Sequence, residues 1–460
     1  MAYNSICPSH YMGMAELYRE TGEQKYKDLA EAFVNIRDSI KDGTDDNQDR
    51  IPFREQYNAM GHSVRANYLY AGVADLYLET GEEQLMKNLK SIWEDLTYRK
   101  MYVNGACGAL YDGTSPDGTD YKPVNVQKVH QSYGRPYQLP HSTAHNETCA
   151  NIGNMLFNWR MYLTSACPRY VDVMENYFYN SILPGISLDG TKYFYVNPLR
   201  LDSDLPYTLR WGKERKSYIS CFCCPPNTLR TLCEVQNYAY AVDRNEIYVN
   251  LYGSNTFTAN LSEVGEVSLS QQTDYPWDGH INIKVDKVKS KKEFTISPRI
   301  PEWADDVKIS VNGEPWDFIR GNGSGYVTIK RKWKKGDVVT LHLDMEPRVV
   351  KAHDLVAADQ GRVAIEKGPV VYCAEWPDND FSVRSIIINQ DPNFSVRHSE
   401  ELFGLDKITT DAQTLSFDEQ GRVVAKDVKL TLIPYYAWCQ RGSGEMTVWL
   451  PKDLRATNPM

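Results

Sequence analysis

Residues 221–227, CFCCPPN, place three cysteines within four positions and follow them directly with two prolines. Proline is favoured in the first turn of a helix, so the pattern predicts a helix over residues 225–241. The dipole and the free N–H groups at the start of that helix favour thiolate over thiol at Cys223 and Cys224. Because a thiolate is a nucleophile and also a zinc ligand, this segment has the chemistry for covalent catalysis, for metal binding, or for both.

A second segment, HSTAHNETCAN at 141–151, carries Glu147 and Cys149. Side chains two positions apart point to different faces of a helix, but they can converge where an extended segment enters one. A carboxylate from Glu147 and thiolates from Cys149, Cys223 and Cys224 would complete a tetrahedral zinc site. The spacing of the two segments matches no standard zinc finger, so spacing alone does not establish that these residues bind zinc.

The alternative is that the cysteines are structural. Cysteine is among the most buried residue types, and a structural buried thiol is inert. A disulfide between Cys223 and Cys224 is a further alternative, although adjacent cysteines form one only with strained geometry. Four of the ten cysteines could equally lie in the hydrophobic core: Cys149, Cys167, Cys221 and Cys233.

The first half of the chain has helical periodicity and an internal repeat. Residues 15–34 and 74–93 each pair two helical segments across an ETGE turn, and residues 159–178 form a weaker third copy. Repeated helical hairpins joined by short turns predict an α/α toroid or solenoid. The remaining periodic stretches predict helices at 58–80, 144–164 and 225–241.

From about residue 246 the apolar period changes from helical to two. Segments such as EIYVNLY, HINIKVDKV and VVTLHLDM alternate apolar and polar residues and are bounded by turn-forming residues. This pattern predicts antiparallel strands and a β-sandwich. The expected fold class is therefore α+β multidomain, with a helical catalytic domain at 1–245 and a β-sandwich region at 246–460.

The 460 residues carry a formal net charge of −9, which argues against general binding to nucleic acids or anionic membranes. No apolar run approaches the roughly 18 residues that a membrane helix needs. The N-terminal stretch MAYNSICPSHYMGMAELYRE lacks the basic and then apolar segments of a signal peptide. We therefore expect a cytoplasmic protein, or a periplasmic one if a signal peptide precedes this chain.

Longer motifs connect the two cysteine segments to a known family. The stretches IPFREQYNAMGHSVRANYLYAGVADLY (51–77), PYQLPHSTAHNETCANIG (136–153), CCPPN (223–227) and IPYYAWCQRGSGEMTVWLP (433–451) resemble the β-L-arabinofuranosidases of glycoside hydrolase family 127. The resemblance covers nearly the whole chain, and NETCA together with CCPPN is highly specific. It implies an (α/α)6 barrel followed by β-sandwich domains. A closed α/α toroid usually has twelve helices and the sequence predicts seven or eight, so we expect some N-terminal barrel helices to be lacking.

The resemblance also implies a zinc ion and the residues that hold it. Carried over by motif, the zinc ligands are Glu147, Cys149, Cys223 and Cys224, and the nucleophile is Cys223. A retaining glycosidase forms a covalent glycosyl-enzyme, usually on a carboxylate. A zinc-bound thiolate stays deprotonated at neutral pH and can take that part.

Four further residues match the positions that contact sugar in the family: His62, Glu175, Tyr195 and His10. The resemblance implies that they bind the hydroxyl groups of the substrate. Taken singly, each could equally be a satisfied core or surface residue, and the match at His10 is short.

Gln131 departs from the family pattern. The family places its general acid/base glutamate sixteen residues before the zinc-binding glutamate, and this chain has Gln131 there. Glutamine cannot donate or accept the proton in that role. Three interpretations stay open: the substrate supplies its own acid, as a carboxylated furanose such as aceric acid would; His130, His141 or His145 takes over; or the protein binds sugar without efficient turnover.

Together these features predict a zinc-thiolate retaining glycosidase that acts on β-linked L-arabinofuranosides or related furanosides of plant glycans. The first alternative is a weak or inactive sugar-binding homologue in which the zinc is structural, because of Gln131. A sugar epimerase or lyase is the second, since α/α barrels host those enzymes as well. The insertion at 111–128 adjoins Gln131, and we interpret it as a surface loop.

Overall fold

Seven α-helices lie in the first half of the chain in the computed structural model, which describes residues 6–41, 43–114, 128–202, 211–319 and 325–457. Within these ranges they are α1 (His10–Thr21), α2 (Gln24–Arg37), α3 (Ser63–Thr80), α4 (Glu83–Arg99), α5 (Thr148–Ser165), α6 (Pro168–Tyr177) and α7 (Cys224–Glu234). The three helices predicted at 58–80, 144–164 and 225–241 are all present. The last is shorter than predicted, because a 3-10 turn at Val235–Tyr238 follows α7.

The sequence repeat corresponds to three helical hairpins: α1–α2, α3–α4 and α5–α6. Gly22 and Gly81 end the first helix of the first two hairpins with φ values of 69° and 67°. Glycine reaches this left-handed region without the steric cost of a Cβ atom, so the ETGE motif marks the point where the chain reverses. In the third hairpin Ala166 takes the same place, with φ 50°.

Helices α3 and α5 form the centre of the helical half. Both are buried along most of their length, whereas α2 buries only three of its residues. The Asn67 side-chain amide donates to the Ala150 carbonyl at 2.9 Å, and Gly153 lies where a Cβ would be 3.1 Å from the Tyr68 ring. This close packing fixes the start of α5 relative to α3. The seven described helices are fewer than the twelve of a closed barrel, and the (α/α)6 arrangement stays a prediction.

The strands that the structure describes are, in chain order, β1 (Leu110–Thr114), β2 (Lys128–Ser132), β3 (Arg200–Leu201), β4 (Tyr240–Asp243), β5 (Glu246–Val249), β6 (Asn255–Leu261), β7 (Gly265–Thr273), β8 (His280–Val288), β9 (Phe294–Ile300), β10 (Val307–Val311), β11 (Glu314–Pro315), β12 (Gly325–Tyr326), β13 (Ile329–Arg331), β14 (Val338–Leu343), β15 (Arg348–Val350), β16 (Arg362–Lys367), β17 (Val370–Glu375), β18 (Ile386–Ile388), β19 (Ser395–Ser399), β20 (Leu405–Phe417), β21 (Val423–Pro434), β22 (Met446–Thr447) and β23 (Leu450–Pro451). Strands β1 and β2 form a separate hairpin. The others form three sheets.

Two of these sheets share one apolar core. The six-stranded sheet has the order β11-β10-β14-β8-β7-β6, and the five-stranded sheet has the order β12-β9-β5-β4 with β13 beside β9. Strand β14 alternates half-buried and buried residues, as predicted from VVTLHLDM. The expectation of antiparallel strands throughout is wrong for β5 and β9, which pair in parallel. Strands β6, β7 and β8 lie between them in the chain and supply the long connection that parallel pairing needs.

The third sheet has ten strands, in the order β15-β16-β17-β21-β20-β18, with β19, β22, β23 and β3 attached. Its strand β3 comes from the helical half of the chain and pairs with β22. The C-terminal sheet therefore contacts the segment that follows Tyr195. None of the described helices has both the length and the apolar character to span a bilayer.

Candidate functional site

Two helix N-termini bring the predicted metal ligands together. Glu147 caps α5 in extended conformation, with φ −61° and ψ 133°, and Cys149 lies in the first turn of that helix. Cys223 caps α7, and Cys224 is its first residue. The prediction that Glu147 and Cys149 converge at a helix entry is therefore confirmed. The prediction that the paired thiols lie at the start of a helix is confirmed as well.

The segment 195–197 holds Glu147 in place. The Thr148 N–H donates to the Tyr195 carbonyl at 3.0 Å. Asn146 and Asn197 each donate a side-chain amide to the other's carbonyl, at 3.3 and 3.1 Å. Asn146 has φ 43°, in the left-handed region that asparagine tolerates better than most residues. The sequence analysis missed both asparagines, although the Asn of NETCA was an available signal.

The four candidate ligands form one compact cluster in which all ligand atoms lie within 4.8 Å of one another. The Cys224 sulfur is 3.4 Å from that of Cys149 and 3.9 Å from that of Cys223. Glu147 Oε1 is 3.5 Å from the Cys223 sulfur and 3.7 Å from the Cys224 sulfur. A tetrahedron of sulfurs bound to zinc at about 2.3 Å has edges of about 3.8 Å. The donor atoms are therefore already spaced as such a site requires.

The chemistry of the cluster also fits a divalent cation. Glu147 Oε2 is buried and has no hydrogen-bond partner among the described residues. Burial raises the pKa of Glu147 to about 8, and it raises the pKa of Cys224 well above its ordinary value. These shifts show that the site penalises uncompensated negative charge, which a thiophilic cation bound by three sulfurs and a carboxylate would neutralise.

Only one sulfur of the cluster is open to solvent. Cys223 is exposed, whereas Glu147, Cys149 and Cys224 each expose 1% of their surface. A hydrogen bond with the Cys149 thiol lowers the pKa of Cys223 well below its ordinary value. The alternative disulfide between Cys223 and Cys224 is not formed, because their sulfurs are 3.9 Å apart and a disulfide bond measures about 2.05 Å. Cys223 is therefore the group of the cluster that an external electrophile can reach.

Tyr195 and Gln131 lie beside this cluster. The Tyr195 hydroxyl accepts hydrogen bonds from the Gln131 side-chain amide at 3.3 Å and from the Cys221 thiol at 3.7 Å. Tyr195 also packs in one apolar cluster with Cys149 and Cys224. Its ring stacks on Trp211 with centroids 3.8 Å apart. The structure thus places Tyr195 against the candidate metal ligands and Gln131 beside Tyr195.

His62 joins the same group through Gln131. It caps α3, exposes 8% of its surface and forms an isolated β-bridge with Ser132, the residue after Gln131. The adjacent Ser63 hydroxyl donates to the Gln131 carbonyl at 2.9 Å, and Gln131 has φ 49°. Burial lowers the pKa of His62 to about 4, so the ring is neutral at pH 7. That His62 is a pocket residue stays a prediction.

Behind Cys149 lies a chain of hydrogen-bonding side chains that the sequence analysis did not predict. The Asn227 side-chain amide donates to the Cys149 sulfur at 3.1 Å. Tyr68 contacts Asn227 at 3.4 Å, and the Arg230 guanidinium contacts the Tyr68 hydroxyl at 3.4 Å. Asn227 is the asparagine of CCPPN, so the motif contained this signal. Such outer hydrogen bonds orient metal ligands and tune their basicity.

Glu175 lies elsewhere, at the contact between the helical half and the first pair of sheets. Its Oε1 accepts hydrogen bonds from the Tyr275 hydroxyl at 2.7 Å and from Arg299 at 2.8 Å. Trp303 Nε1 is 3.5 Å from Oε2. None of these described contacts involves the cysteine cluster, so they support a structural role and give no support to the predicted contact with sugar.

Replacing Glu175 by alanine is expected to destabilise the fold. Arg299 is completely buried and would lose one of its carboxylate partners, Asp172 being the other. Removing one partner of a buried ion pair typically costs about 3–5 kcal/mol. The measurement is the midpoint of urea unfolding, with the exposed Glu302→Ala as control. Unchanged stability together with a raised KM for sugar would instead assign Glu175 to the substrate site.

His10 also lies apart from the cluster in the contacts that the structure describes. It is the first residue of α1, and its ring packs edge-on against Tyr11 and Phe33, with centroids 4.8 and 4.5 Å away. Burial lowers its pKa. These contacts anchor the N-terminal helix, and the predicted role of His10 in sugar binding finds no support in them.

The three histidines named as substitutes for the missing acid/base have different surroundings. His141 is buried against Asp359 and stacks on Trp449. His130 is exposed, and its backbone N–H donates to Asp46 at 3.0 Å. Only His145 adjoins the cluster, with Nε2 3.8 Å from Glu147 Oε2. Of the adjoining insertion at 111–128, residues 115–127 lie outside the described residues, and its two ends belong to strands β1 and β2.

A small, mostly apolar cavity of about 50 Å³ adjoins the site next to Tyr195. His145 and Trp211 contribute to its wall and also face the Tyr195 ring. Trp438, from the C-terminal part of the chain, closes another side. Both halves of the chain therefore shape the surroundings of the cluster.

Comparison with known proteins gives consistent matches along the whole chain. Models of the GH127 beta-L-arabinofuranosidase catalytic domain, the GH127 middle domain and the family 127 C-terminal domain match residues 2–237, 246–345 and 347–451. The region predicted as one β-sandwich thus matches two family domains.

Individual relatives agree with these matches. The non-reducing end beta-L-arabinofuranosidase of Bifidobacterium longum is 30% identical, over 96% of this chain and 70% of that protein. A solved glycoside hydrolase is 56% identical with a TM-score of 0.93, over 97% of this chain and 75% of its own. A GH127 beta-L-arabinofuranosidase from Geobacillus stearothermophilus T6 is 32% identical with a TM-score of 0.87, over 96% and 71%. An epimerase or lyase is therefore no longer a competing interpretation. The chain belongs to glycoside hydrolase family 127 and is a glycosidase.

Proposed function

We propose that the chain is a retaining glycosidase that releases β-linked L-arabinofuranose, or a related furanose that can carry a carboxylate, from plant glycans. The single observation that supports this most is the cluster of Glu147, Cys149, Cys223 and Cys224, in which only Cys223 reaches solvent. The relatives named as beta-L-arabinofuranosidases support the sugar class. The carbohydrate is the partner that this proposal requires.

The proposed mechanism assigns the covalent step to Cys223. Zinc held by the four ligands would keep the thiolate deprotonated at neutral pH. Cys223 attacks the anomeric carbon, and the bond to the leaving-group oxygen breaks. Water then attacks the same carbon, the sulfur–carbon bond breaks, and the sugar leaves with its original configuration. We assign the binding of sugar hydroxyls to Tyr195, which packs against Cys149 and Cys224, and to His62, which pairs with Ser132 next to Gln131.

The described residues include no obvious group to transfer the proton to the leaving group. Gln131 can hold a hydroxyl or the leaving-group oxygen by hydrogen bonding, but it cannot transfer a proton. We propose that a carboxyl group on the substrate donates the proton in its protonated form and accepts it back as the carboxylate, which favours furanosides related to aceric acid. Plain arabinofuranosides with poor leaving groups would then be slow substrates.

The experiment that tests the proposal is intact-protein mass spectrometry of the zinc-loaded chain mixed with an aryl β-L-arabinofuranoside. An aryl leaving group departs with little acid assistance, so the first step should proceed despite Gln131, and the second should lag. A pentosyl adduct that maps to Cys223 is the expected result. No adduct and no released sugar with either aryl arabinofuranosides or carboxylated furanosides would contradict it.

A second candidate function is sugar binding without efficient turnover, with the zinc in a structural role. Gln131 is the specific observation in its favour. It predicts that sugars bind to the folded, zinc-loaded chain while neither a covalent adduct nor hydrolysis is detected. Calorimetric titration with L-arabinose, together with the adduct experiment, distinguishes the two functions.

Metal content gives an independent prediction. The full chain is expected to retain one equivalent of zinc through dialysis, because three thiolates and one carboxylate form a closed set of four ligands. Cys149→Ser is expected to lower the retained zinc at least about tenfold, since it replaces a buried sulfur ligand. Elemental analysis of the dialysed proteins measures this. The exposed Cys233→Ser should keep the wild-type content, and equal zinc in both variants would contradict the assignment of Cys149.

A further inference from the structure

The position of the Tyr195 hydroxyl depends on what holds its ring. Tyr195 exposes 4% of its surface and packs in one apolar cluster with Cys149 and Cys224. Its hydroxyl accepts hydrogen bonds from the Gln131 amide at 3.3 Å and from the Cys221 thiol at 3.7 Å. A group that binds substrate has to be held closely, because a misplacement of about 1 Å can cost about 10²-fold in rate.

The backbone of Tyr195 is fixed by the first turn of α5. The Tyr195 carbonyl accepts hydrogen bonds from the Thr148 N–H at 3.0 Å and from the Thr148 hydroxyl at 3.3 Å. These bonds hold the main chain, but they leave open the rotation about the Cα–Cβ bond that sets the direction of the phenol ring. The hydroxyl lies at the far end of that ring, so its position requires a second restraint.

Trp211 supplies this restraint. Its ring stacks on the Tyr195 ring with centroids 3.8 Å apart and planes 15° from parallel. The His145 ring also faces Tyr195, but it is tilted by 57° and its centroid is 6.0 Å away. Stacked aromatic rings attract each other and prefer a defined geometry. The flat indole therefore limits the swing of the phenol ring more closely than His145 does.

The segment that carries Trp211 is itself anchored. Lys216, five residues later, exchanges two backbone hydrogen bonds with Tyr193, at 2.9 and 3.0 Å. The Arg215 guanidinium is buried and donates to the Trp438 carbonyl, in the C-terminal part of the chain. Trp211 is therefore held from a segment that is tied to both halves of the chain.

We infer that Trp211 is a positioning residue, whose stack on Tyr195 keeps the Tyr195 hydroxyl where the substrate is bound. The substrate contact rests on the proposed function, whereas the restraint on the ring is a property of the fold. Trp211 acts through Tyr195 and is assigned no contact with the reacting atoms. If Trp211 only packed against the apolar cluster, its loss would weaken the fold and leave the contribution of the Tyr195 hydroxyl intact.

A double-mutant cycle on kcat/KM tests this, with the zinc-loaded full chain and an aryl β-L-arabinofuranoside. Trp211→Leu keeps an apolar side chain but removes the ring, and it is expected to lower kcat/KM by about 10²-fold. Trp211→Phe keeps a ring to stack and should stay within about threefold of wild type. In Tyr195→Phe, which lacks the hydroxyl, adding Trp211→Leu should cost less than about threefold more.

Two further samples control for the fold. Phe403→Leu replaces an exposed ring in the C-terminal part of the chain and should keep wild-type rates. Trp211→Met, also apolar and without a ring, takes the place of Trp211→Leu if the latter does not fold. Urea unfolding of every variant shows that rates are compared between folded proteins.

The inference is overturned if the losses from Trp211→Leu and Tyr195→Phe multiply in the double variant, since independent effects do so. It is also overturned if Trp211→Phe loses as much activity as Trp211→Leu. Absence of turnover in wild type would contradict the proposed function, and a crystal structure of Trp211→Leu would then decide the inference. A Tyr195 hydroxyl displaced from Gln131 and Cys221 supports it, and an unmoved hydroxyl overturns it.

Discussion

Replacing Cys223 by alanine is expected to lower kcat/KM for an aryl β-L-arabinofuranoside by at least about 10³-fold and to abolish the pentosyl adduct. Cys223 is the exposed member of a cluster whose other three members expose 1% of their surface each. No other ligand sulfur can therefore reach a substrate carbon without disrupting the fold. The measurement combines initial rates of aryl alcohol release with intact-protein mass spectrometry.

The effect on the nucleophile has to be separated from the effect on the metal, because Cys223→Ala removes one of four ligands. Elemental analysis of the same sample gives the zinc content, and zinc that is retained with activity lost assigns the defect to the missing nucleophile. Cys233→Ala, on the same helix and also exposed, is the matched control and should keep wild-type rates. Turnover within about tenfold of wild type in Cys223→Ala would exclude a covalent role for this residue.

Much of the site could be predicted because its candidate ligands lie within two short motifs of the sequence. The CCPPN motif specifies a helix start through its prolines, and α7 begins at Cys224. NETCA specifies a helix entry, and Glu147 caps α5. What brings the ligand atoms at the two helix starts to within 4.8 Å of one another is tertiary packing, including the contact of α5 with α7. The individual segments carry no signal for that distance, so on spacing alone the cysteines could equally have been inert.

The predictions that found no support concern residues whose partners are distant in the chain. Glu175 sits on an amphipathic helix and looks like a polar pocket residue until Arg299, 124 positions later, is placed against it. The parallel pairing of β5 with β9 has the same origin, because alternation predicts strands but does not specify their neighbours. Asn146 and Asn197 were missed for this reason too: their mutual hydrogen bonds span 51 positions.

Gln131→Glu is expected to raise turnover of alkyl β-L-arabinofuranosides, by about 10²–10⁴-fold, the usual contribution of a general acid/base. The Gln131 side chain contacts the Tyr195 hydroxyl, and Tyr195 packs against Cys149 and Cys224 of the cluster, so we expect a carboxyl group at this position to lie near the reacting bond. Glutamate has nearly the shape of glutamine, and the backbone contact between Ser63 and the Gln131 carbonyl is independent of the side chain. Initial rates with alkyl and aryl substrates measure the effect.

Comparing the rates for alkyl and aryl leaving groups distinguishes a restored general acid from other effects of Gln131→Glu. A new general acid assists an alkyl leaving group far more than an aryl one, so the ratio of the two rates should move toward one in Gln131→Glu. Gln138→Glu, a change of the same type at an exposed position a few residues later, should leave both rates unchanged. If Gln131→Glu gains nothing on alkyl arabinofuranosides and loses activity on carboxylated furanosides, the glutamine is adapted to a substrate that brings its own acid. If it gains on neither and binds sugar unchanged, the chain is a sugar-binding member of the family, since a restored acid/base would have had no chemistry to assist.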